Sequence, residues 1–273
     1  SGADLISAGG GNDTIVDFAG ADTVDGGSGT DSLILSATSL DLNSATDDQL
    51  VNVEAITAEN AAAAVLIDLS NQTDTLTLTG SSFNDSLYGS TGDSTIYGGA
   101  GDDFLWEGQA NNTGNHLIDG GTGAATEYGG YGNDTMVVDV ADTNYHQFYG
   151  GPGNDSVVGG AGDDFFADNT GNDTLIGGAG ANTMYGDYGD DSLDNSGATG
   201  NSFLQGYFGN DTILGGSGAD LISAGDGDDK IVDFAGADCY TVKYAAADGA
   251  LLWESRYDGV TNGHEQAYAV VVD

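Results

Sequence analysis

The chain has 273 residues, of which 44 are Asp or Glu and only 3 are Lys or Arg, so its formal net charge at pH 7 is −41. A charge of this size and single sign excludes nucleic acid as a partner and disfavours binding to an anionic membrane surface. Two kinds of chain carry such a charge: a disordered acidic chain, and a folded chain whose carboxylates bind hard cations. Hydrophobic residues make up 39% of the chain and are evenly spread, which favours the folded alternative.

Cysteine content and the length of apolar runs further restrict the kinds of protein that this chain can be. The single cysteine, Cys239, excludes an internal disulfide framework, and bound metal is the obvious alternative means of holding a secreted fold together. The longest apolar run, residues 61–67, is too short to span a membrane. The sequence therefore predicts a protein without a membrane-spanning segment.

A nine-residue pattern, Gly-Gly-x-Gly-x-Asp-x-U-x with U apolar, recurs along the chain. Its first six positions are typical of turns, with glycine where the backbone needs a positive φ or must approach an ion closely. Its last three positions form a minimal strand whose middle side chain alone points inward. Clear copies begin at Gly26, Gly98, Gly129, Gly150, Gly159 and Gly215.

Two such repeats make one coil of 18 residues, with a strand on each side and a turn at each end. Stacking the coils brings equivalent aspartates to roughly 4.8 Å from one another. Two carboxylates and several glycine carbonyls then converge on one oxygen-lined site, which suits Ca²⁺. The predicted metal ligands, for multiple Ca²⁺ ions, are Asp4, Asp13, Asp22, Asp31, Asp85, Asp103, Asp134, Asp155, Asp164, Asp173, Asp191, Asp211, Asp220, Asp229 and Asp238.

This pattern resembles the repeats-in-toxin family, whose nonapeptides form a parallel β-roll that binds calcium between successive turns. The resemblance implies an all-β fold, a right-handed parallel β-roll or β-helix solenoid with a short C-terminal β-strand segment. It also implies a secreted, extracellular protein that meets calcium after export.

In chain order, residues 1–34 are predicted to be calcium-binding repeats. Residues 35–79 lose the glycines, yet Asp31 and Asp85 are separated by a whole number of nonapeptides, which predicts metal-free β-helix coils continuing the solenoid. This interruption is similar to those of bacterial surface-layer and adhesin proteins in the same family. Residues 80–241 are predicted to resume the calcium-binding repeats.

Within the second block of repeats, four positions depart from the pattern, and weaker or absent calcium sites are expected there. Three polar insertions, at residues 108–114, 139–147 and 195–199, are expected to bulge outward and leave the stack intact. The residues that replace the repeat aspartate are Ser94, Ala125, Asn182 and Ser202.

Residues 242–273 read as a short antiparallel β segment, with Asp248 and Gly249 forming a hairpin turn between its first two strands. The segment is similar to one blade of bacterial β-propeller repeat proteins. It is predicted either to cap the solenoid or to form a propeller-like blade.

No catalytic or cofactor-binding residue is predicted, and the chain is expected not to be an enzyme. It has neither an HExxH zinc motif nor a GxSxG nucleophile elbow. Its histidines, His116, His146 and His264, are far apart in sequence, and we expect them to be exposed loop residues.

Aromatic residues recur at the last repeat position, which is predicted to face outward. They either shield the sheet surface, since aromatics favour strands, or provide contacts to other solenoids or to carbohydrate. These residues are Tyr88, Tyr97, Trp106, Tyr128, Tyr149 and Tyr185.

The sequence thus predicts an extracellular calcium-binding structural protein, part of a bacterial surface layer, fibre or adhesin at the cell surface, which folds and assembles on binding Ca²⁺. Its expected partners are other copies of itself or cell-surface glycans. Two alternatives stay open: a calcium-binding C-terminal module of a larger secreted enzyme, and a glycan- or ice-binding adhesin segment. A catalytic domain upstream would favour the first alternative, and a regular outward ladder of Thr would favour ice binding.

Overall fold

The structure is a computed structural model that describes residues 4–20, 22–108 and 112–232, and the backbone of three further strands, Asp238–Tyr244, Leu251–Asp258 and Ala269–Val271. The described residues form short strands joined by turns, with 3-10 turns at Leu42–Ser44 and Asp47–Gln49. The predicted all-β solenoid of parallel sheets is confirmed. No helix among these residues is long and apolar enough to cross a membrane.

The chain divides into two compact units, Ser1–Thr135 and Met136–Asp273. Strands of the first unit alternate between its two sides. They are β1 (Leu5–Ser7), β2 (Thr14–Val16), β3 (Thr23–Asp25), β4 (Ser32–Ile34), β5 (Leu50–Val51), β6 (Ala55–Thr57), β7 (Leu66–Asp68), β8 (Thr77–Thr79), β9 (Ser86–Tyr88), β10 (Thr95–Tyr97), β11 (Phe104–Trp106), β12 (Leu117–Asp119) and β13 (Thr126–Tyr128), with β14 (Thr135–Val137) at the boundary.

In the first unit strands pair in parallel with the strand two places along the chain, except that β5 and β7 belong to separate sheets. The even-numbered strands form one sheet in the order β2-β4-β6-β8-β10-β12, and the odd-numbered strands form the sheets β1-β3-β5 and β7-β9-β11-β13. Pairing places Leu87 beside Leu105 and Ile96 beside Ile118, all fully buried. The core of each coil is thus a column of one apolar side chain per strand, as the nine-residue pattern predicts.

Residues 35–79 continue this arrangement without repeat glycines or aspartates. Ile56 in β6 pairs with Leu33 in β4 and Leu78 in β8, and all three side chains are buried. At the turns, side-chain amides bond to the backbone of other coils, as where Gln72 Nε2 donates to the Ala45 carbonyl at 3.0 Å. Amides and carboxylates both hold these turns, since Glu54 Oε2 also accepts the Asp31 N–H at 2.7 Å.

The second unit has the same plan with longer strands on one side. Its odd-numbered strands order as β15-β17-β19-β21-β23-β25-β26 and its even-numbered strands as β16-β18-β20-β22-β24-β27. The strands are β15 (Gln147–Pro152), β16 (Ser156–Val158), β17 (Phe165–Thr170), β18 (Thr174–Ile176), β19 (Thr183–Tyr188), β20 (Ser192–Asp194), β21 (Phe203–Phe208), β22 (Thr212–Leu214), β23 (Leu221–Asp226), β24 (Lys230–Val232), β25 (Asp238–Tyr244), β26 (Leu251–Asp258) and β27 (Ala269–Val271).

Aromatic side chains enlarge the core of this unit. Phe148 and Phe166 lie at neighbouring inward positions, are fully buried and stack with ring centroids 5.0 Å apart. The last two strands run against the others, since β26 pairs antiparallel with β25 and β27 antiparallel with β24. The proposed hairpin residues Asp248 and Gly249 lie outside the described residues.

Glycine at the second and fourth repeat positions is required both by a positive φ and by the close stacking of turns. Gly11 and Gly29, both at the fourth position, have φ of +117° and +144°, which L side chains rarely adopt. A Cβ on Gly29 would also overlap the Gly11 carbonyl of the preceding coil, whereas a Cβ on Gly11 would meet nothing within 4 Å. Close stacking of turns, and not only backbone conformation, therefore requires glycine.

This matched pair predicts unequal effects for Gly29→Ala and Gly11→Ala. Both add the same backbone strain, but Gly29→Ala also forces two coils apart, and we expect it to cost roughly 1–3 kcal/mol more local stability. Hydrogen exchange of the amides in β3 and β4 measures the difference. Equal exchange in the two variants would contradict the close-stacking argument.

Candidate metal centres

The repeat aspartates form ladders along the edges of the sheets. Each stands directly before a strand, and its Oδ1 accepts a hydrogen bond from the backbone N–H of the equivalent residue one coil earlier. Asp173 accepts in this way from Asp155 at 2.8 Å, and Asp191 from Asp173 at 2.9 Å. In the second unit this ladder contains Asp155, Asp173, Asp191, Asp211 and Asp229.

The other predicted ligands lie in shorter ladders. The first unit pairs Asp4 with Asp22, Asp13 with Asp31, and Asp85 with Asp103, with N–O distances of 2.7–2.9 Å. Asp134 accepts from the backbone N–H of His116, and in the second unit Asp164 and Asp220 belong to one ladder that is interrupted by Asn182 and Ser202. Asp238 begins β25, and its side chain lies outside the described residues.

The second carboxylate oxygen of these residues points into the turn. Oδ2 is buried and accepts no hydrogen bond in Asp31, Asp103, Asp173, Asp191 and Asp211. A buried carboxylate oxygen without a partner is costly, and a hard cation with oxygen ligands removes that cost. The donor set therefore fits Ca²⁺, which would be held by the stacked aspartates and would neutralise them.

Glycine at the first repeat position makes room for this oxygen. A Cβ at Gly26 would lie 2.7 Å from Asp31 Oδ2, and one at Gly98 would lie 2.6 Å from Asp103 Oδ2. Neither glycine has a positive φ among the described residues. The first glycine is thus required by close packing, against this carboxylate and against the backbone carbonyl of Asn52 or Gly120, and not by backbone conformation.

Burial shifts the titration of the ladder aspartates. Desolvation raises the pKa of Asp103, Asp164 and Asp173 to about 6. Desolvation, with repulsion from neighbouring carboxylates, raises the pKa of Asp191 and Asp211 to about 7. Near neutral pH these stacked carboxyls therefore need either protons or cations to compensate their burial.

A second, outer ladder runs in the opposite direction. The Asn or Asp at the fifth repeat position accepts a hydrogen bond from the backbone N–H of the equivalent residue one coil later. Asn154 accepts from Asn172 at 2.7 Å, and Asp190 accepts from Asn210 at 2.7 Å. Because Asn and Asp both serve, this ladder depends on the acceptor oxygen and not on the charge.

Where the repeat aspartate is replaced, the hydrogen bond is often kept but the second oxygen is lost. Asn182 Oδ1 accepts from the Asp164 N–H at 2.9 Å, and Ser202 Oγ accepts from the Asn182 N–H at 3.1 Å. Ala125 can accept no such bond through its side chain. These replacements therefore preserve the stack more fully than they preserve a cation site.

The expectation that the histidines are exposed is wrong for His116 and His146, whose residue surfaces are 2% and 0% exposed. Because the insertions before them shift the repeat phase, both occupy the position of the repeat aspartate before β12 and β15. His116 Nδ1 accepts the Ser94 N–H at 3.1 Å, and burial lowers its pKa to about 4, so it is neutral at pH 7. His264 lies outside the described residues.

Among the described residues, four buried acids fall outside the predicted ligand set, of which Asp142 lies in the insertion before His146. Glu107 and Asp168 stand at the first repeat position, where the pattern has glycine, and Glu127 stands at the inward, normally apolar position beside Leu105. The sequence does indicate these three residues, because each is an acid at a repeat position that normally holds glycine or an apolar residue. Their burial depends on the stacking of neighbouring coils, which the repeat pattern alone does not describe for irregular copies.

Asp168 lies in the ladder of the second unit. One carboxylate oxygen from each of Asp155, Asp168 and Asp173 lies within 4.8 Å of the other two, and all three residues are buried. Burial raises the pKa of Asp168 well above its usual value, and the carboxylates of Asp173, Asp155 and Asp191 raise it further.

Comparison of the sequence with known protein families identifies the repeat. The family model of the RTX calcium-binding nonapeptide repeat (4 copies) matches residues 1–33, 79–114, 147–167, 168–197 and 196–231. These matches cover more than half of the chain. The chain belongs to this RTX family. No curated protein sequence gives a significant match.

The RTX matches coincide with the aspartate ladders and omit most of residues 35–79. RTX repeats bind Ca²⁺ and are typical of secreted proteins. Calcium is therefore the cation expected at these repeats, and the chain is a calcium-binding module of the RTX type.

Calcium binding is predicted to release protons near pH 6.5. Without calcium, the raised pKa values of Asp191 and Asp211 keep part of these carboxyls protonated, whereas a bound cation favours the carboxylate. The folded state without calcium should accordingly lose stability as pH rises from about 4 through about 7, the window between the unfolded and folded pKa values. Calorimetric titration in buffers of different ionisation enthalpy measures the release, and a signal independent of the buffer would contradict it.

Substitution of two neighbouring aspartates distinguishes the role of the inner ladder in calcium binding from that of the outer ladder. Asp191→Asn keeps an Oδ1 acceptor, as Asn182 does naturally, but removes a carboxylate from two successive turns, so calcium affinity should fall about tenfold or more at those turns. The matched control Asp190→Asn makes the same charge change in the exposed outer ladder, where asparagine is already common. Equilibrium dialysis with ⁴⁵Ca²⁺ compares them, and equal losses would show that overall charge governs binding.

Proposed function

We propose that this chain is an extracellular structural protein, a segment of a bacterial surface layer, fibre or adhesin, whose folding is coupled to calcium. The observation that supports this most directly is the set of buried ladder aspartates whose Oδ2 atoms lack a hydrogen-bond partner, namely Asp173, Asp191 and Asp211. Such a ladder repels itself unless cations lie between the coils. Calcium would therefore act as a structural component of the fold.

The coupling of folding to calcium follows from the net charge of the chain. At low intracellular calcium, a chain with a formal net charge of −41 is opposed in collapsing by its own repulsion. At the roughly millimolar calcium found outside cells, weak sites fill and successive coils stack on one another. Folding is thereby postponed until the chain is outside the cell.

Half-buried aromatic rings on the odd-numbered strands provide a surface for association. In the first unit Phe104 lies 5.8 Å from Tyr88 and 5.7 Å from Tyr128, and Trp106 lies 4.7 Å from Tyr128, measured between ring centroids. Rings of this kind pack against another apolar face or against sugar rings. The corresponding rings in the second unit are Tyr149, Phe165, Tyr185 and Phe203.

We assign these rings to lateral contacts between copies of the chain, with cell-surface glycans as the alternative partner. The stacked carboxylates suit cation binding better than catalysis, because a bound Ca²⁺ would suppress their proton transfer. We therefore propose a non-enzymatic role.

Calcium titration of chelator-stripped protein tests the proposal. Circular dichroism should change from coil to β structure, and light scattering should rise in parallel as copies associate. Trp106→Ala with Tyr128→Ala should keep the β transition and reduce the scattering, because these rings are outside the ladders.

The outcomes are distinct. A β transition without particle growth would keep calcium-dependent folding and favour a module of a larger secreted protein or a glycan-binding segment. The absence of any transition would overturn the proposed coupling of folding to calcium. Unchanged scattering in the aromatic variant would remove the rings from the association surface.

A further inference from the structure

Asp168 occupies a repeat position that is otherwise suited to glycine. It lies within β17, at the first position of the repeat that leads into β18, and the equivalent residue one coil earlier is Gly150. A Cβ on Gly150 would overlap Asp168 Oδ1, which shows that the Asp168 carboxylate lies against the backbone of that glycine. The side chain is thus directed into the space between two stacked turns, hereafter the 150–173 interval.

The surroundings of this carboxylate are acidic and dry. Asp168 is 1% exposed, and its Oδ2 has no hydrogen-bond partner. Asp155 and Asp173, the repeat aspartates of the same two turns, each place an oxygen within 4.8 Å of it. An acid buried among acids without a donor to Oδ2 is strongly unfavourable unless a cation shares the site.

Two other residues at the same repeat position show what happens where no cation is needed. Glu107 packs on Gly89 and Asn195 on Gly177, with the same relation to the preceding coil. Each, however, meets an amide donor: Asn112 Nδ2 lies 3.2 Å from Glu107 Oε2, and Asn182 Nδ2 lies 2.7 Å from Asn195 Oδ1. Both residues thus meet an amide donor, although Glu107 Oε1 is itself without a partner, whereas Asp168 lies beside two carboxylates.

The number of carboxylates in each interval of the ladder also distinguishes this site. Along the ladder from Asp155 to Asp229, five aspartates border four intervals, so each interval lies between two ladder carboxylates. Asp168 gives the 150–173 interval an additional, fully buried carboxylate. Among those four intervals it is the one with three fully buried carboxylates.

We propose that Asp168, Asp155 and Asp173 form a three-carboxylate calcium site that binds more tightly than the two-aspartate sites of the RTX repeat and fills first. It thereby starts the stacking of coils in the second unit, since an ion there joins the turns before β16 and β18. This inference rests on the calcium binding of the proposed function and adds a specific order of filling.

The test compares calcium binding by the full chain and three variants. Competition with a chromophoric chelator should show one equivalent bound about tenfold or more tightly than the rest, because an added carboxylate ligand raises affinity. Asp168→Asn and Asp168→Gly should both lose this equivalent and keep the weaker ones. Asp168→Gly restores the repeat residue, so a folding defect is not expected from it.

Glu107→Gln is the matched control, since it removes a buried charge at the same repeat position but outside any three-carboxylate group. It should retain the tight equivalent. Hydrogen exchange with one equivalent of Ca²⁺ should protect β16 and β18 before other strands in the wild-type chain, and not in Asp168→Gly.

Each result decides a separate claim. Retention of the tight equivalent in Asp168→Gly, or early protection elsewhere, would overturn the assignment while leaving calcium-coupled folding intact. A Ca²⁺-saturated protein in which infrared spectroscopy still shows a protonated carboxyl that Asp168→Asn removes would also overturn it. Absence of calcium uptake by the wild-type chain would instead contradict the proposed function itself.

Discussion

Burial of the repeat aspartate between stacked turns is the interaction on which this structure depends. One oxygen of each carboxylate is used by the backbone, as where Asp191 accepts the Asp173 N–H, and the other is left inside the turn without a protein donor in several coils. The hydrogen bond fixes the register of one coil on the next. The remaining oxygen creates a demand for positive charge, so the same residue both aligns the coils and makes their stacking depend on a cation.

Other features of the repeat follow from this arrangement. Glycine at the first position leaves the volume that Oδ2 occupies, and glycine at the fourth position lets one turn lie directly on the carbonyl of the previous turn. The Asn or Asp at the fifth position closes the outer side of the turn with a hydrogen bond in the opposite direction, as between Asn154 and Asn172. A turn held from both sides resists sliding along the axis of the stack.

Irregular copies show which part of the arrangement is structural and which part concerns the ion. Residues 35–79 contain none of the glycines of the repeat and stack through amides such as Gln72 and carboxylates such as Glu54, so the parallel stack does not depend on the repeat glycines. Asn182 and His116 keep the backbone hydrogen bond but offer no second carboxylate oxygen. Asp168 does the reverse, adding charge without taking part in the backbone ladder. The number of carboxylates therefore varies between turns while the stack is preserved.

The nine-residue pattern is enough to predict the solenoid and most of its aspartate ladders. A nine-residue period with one apolar residue and one aspartate per repeat permits few arrangements, because each inward side chain and each acid must recur at the same place in every coil. The places that irregular copies of the repeat occupy in the stack become visible only in the tertiary structure. His116 and His146 are separated from the regular repeats by insertions, so their place in the aspartate columns depends on how many residues each turn absorbs. Asp168 looks in sequence like a lost glycine, and only the approach of Asp155 from the preceding coil makes it a third carboxylate of one site.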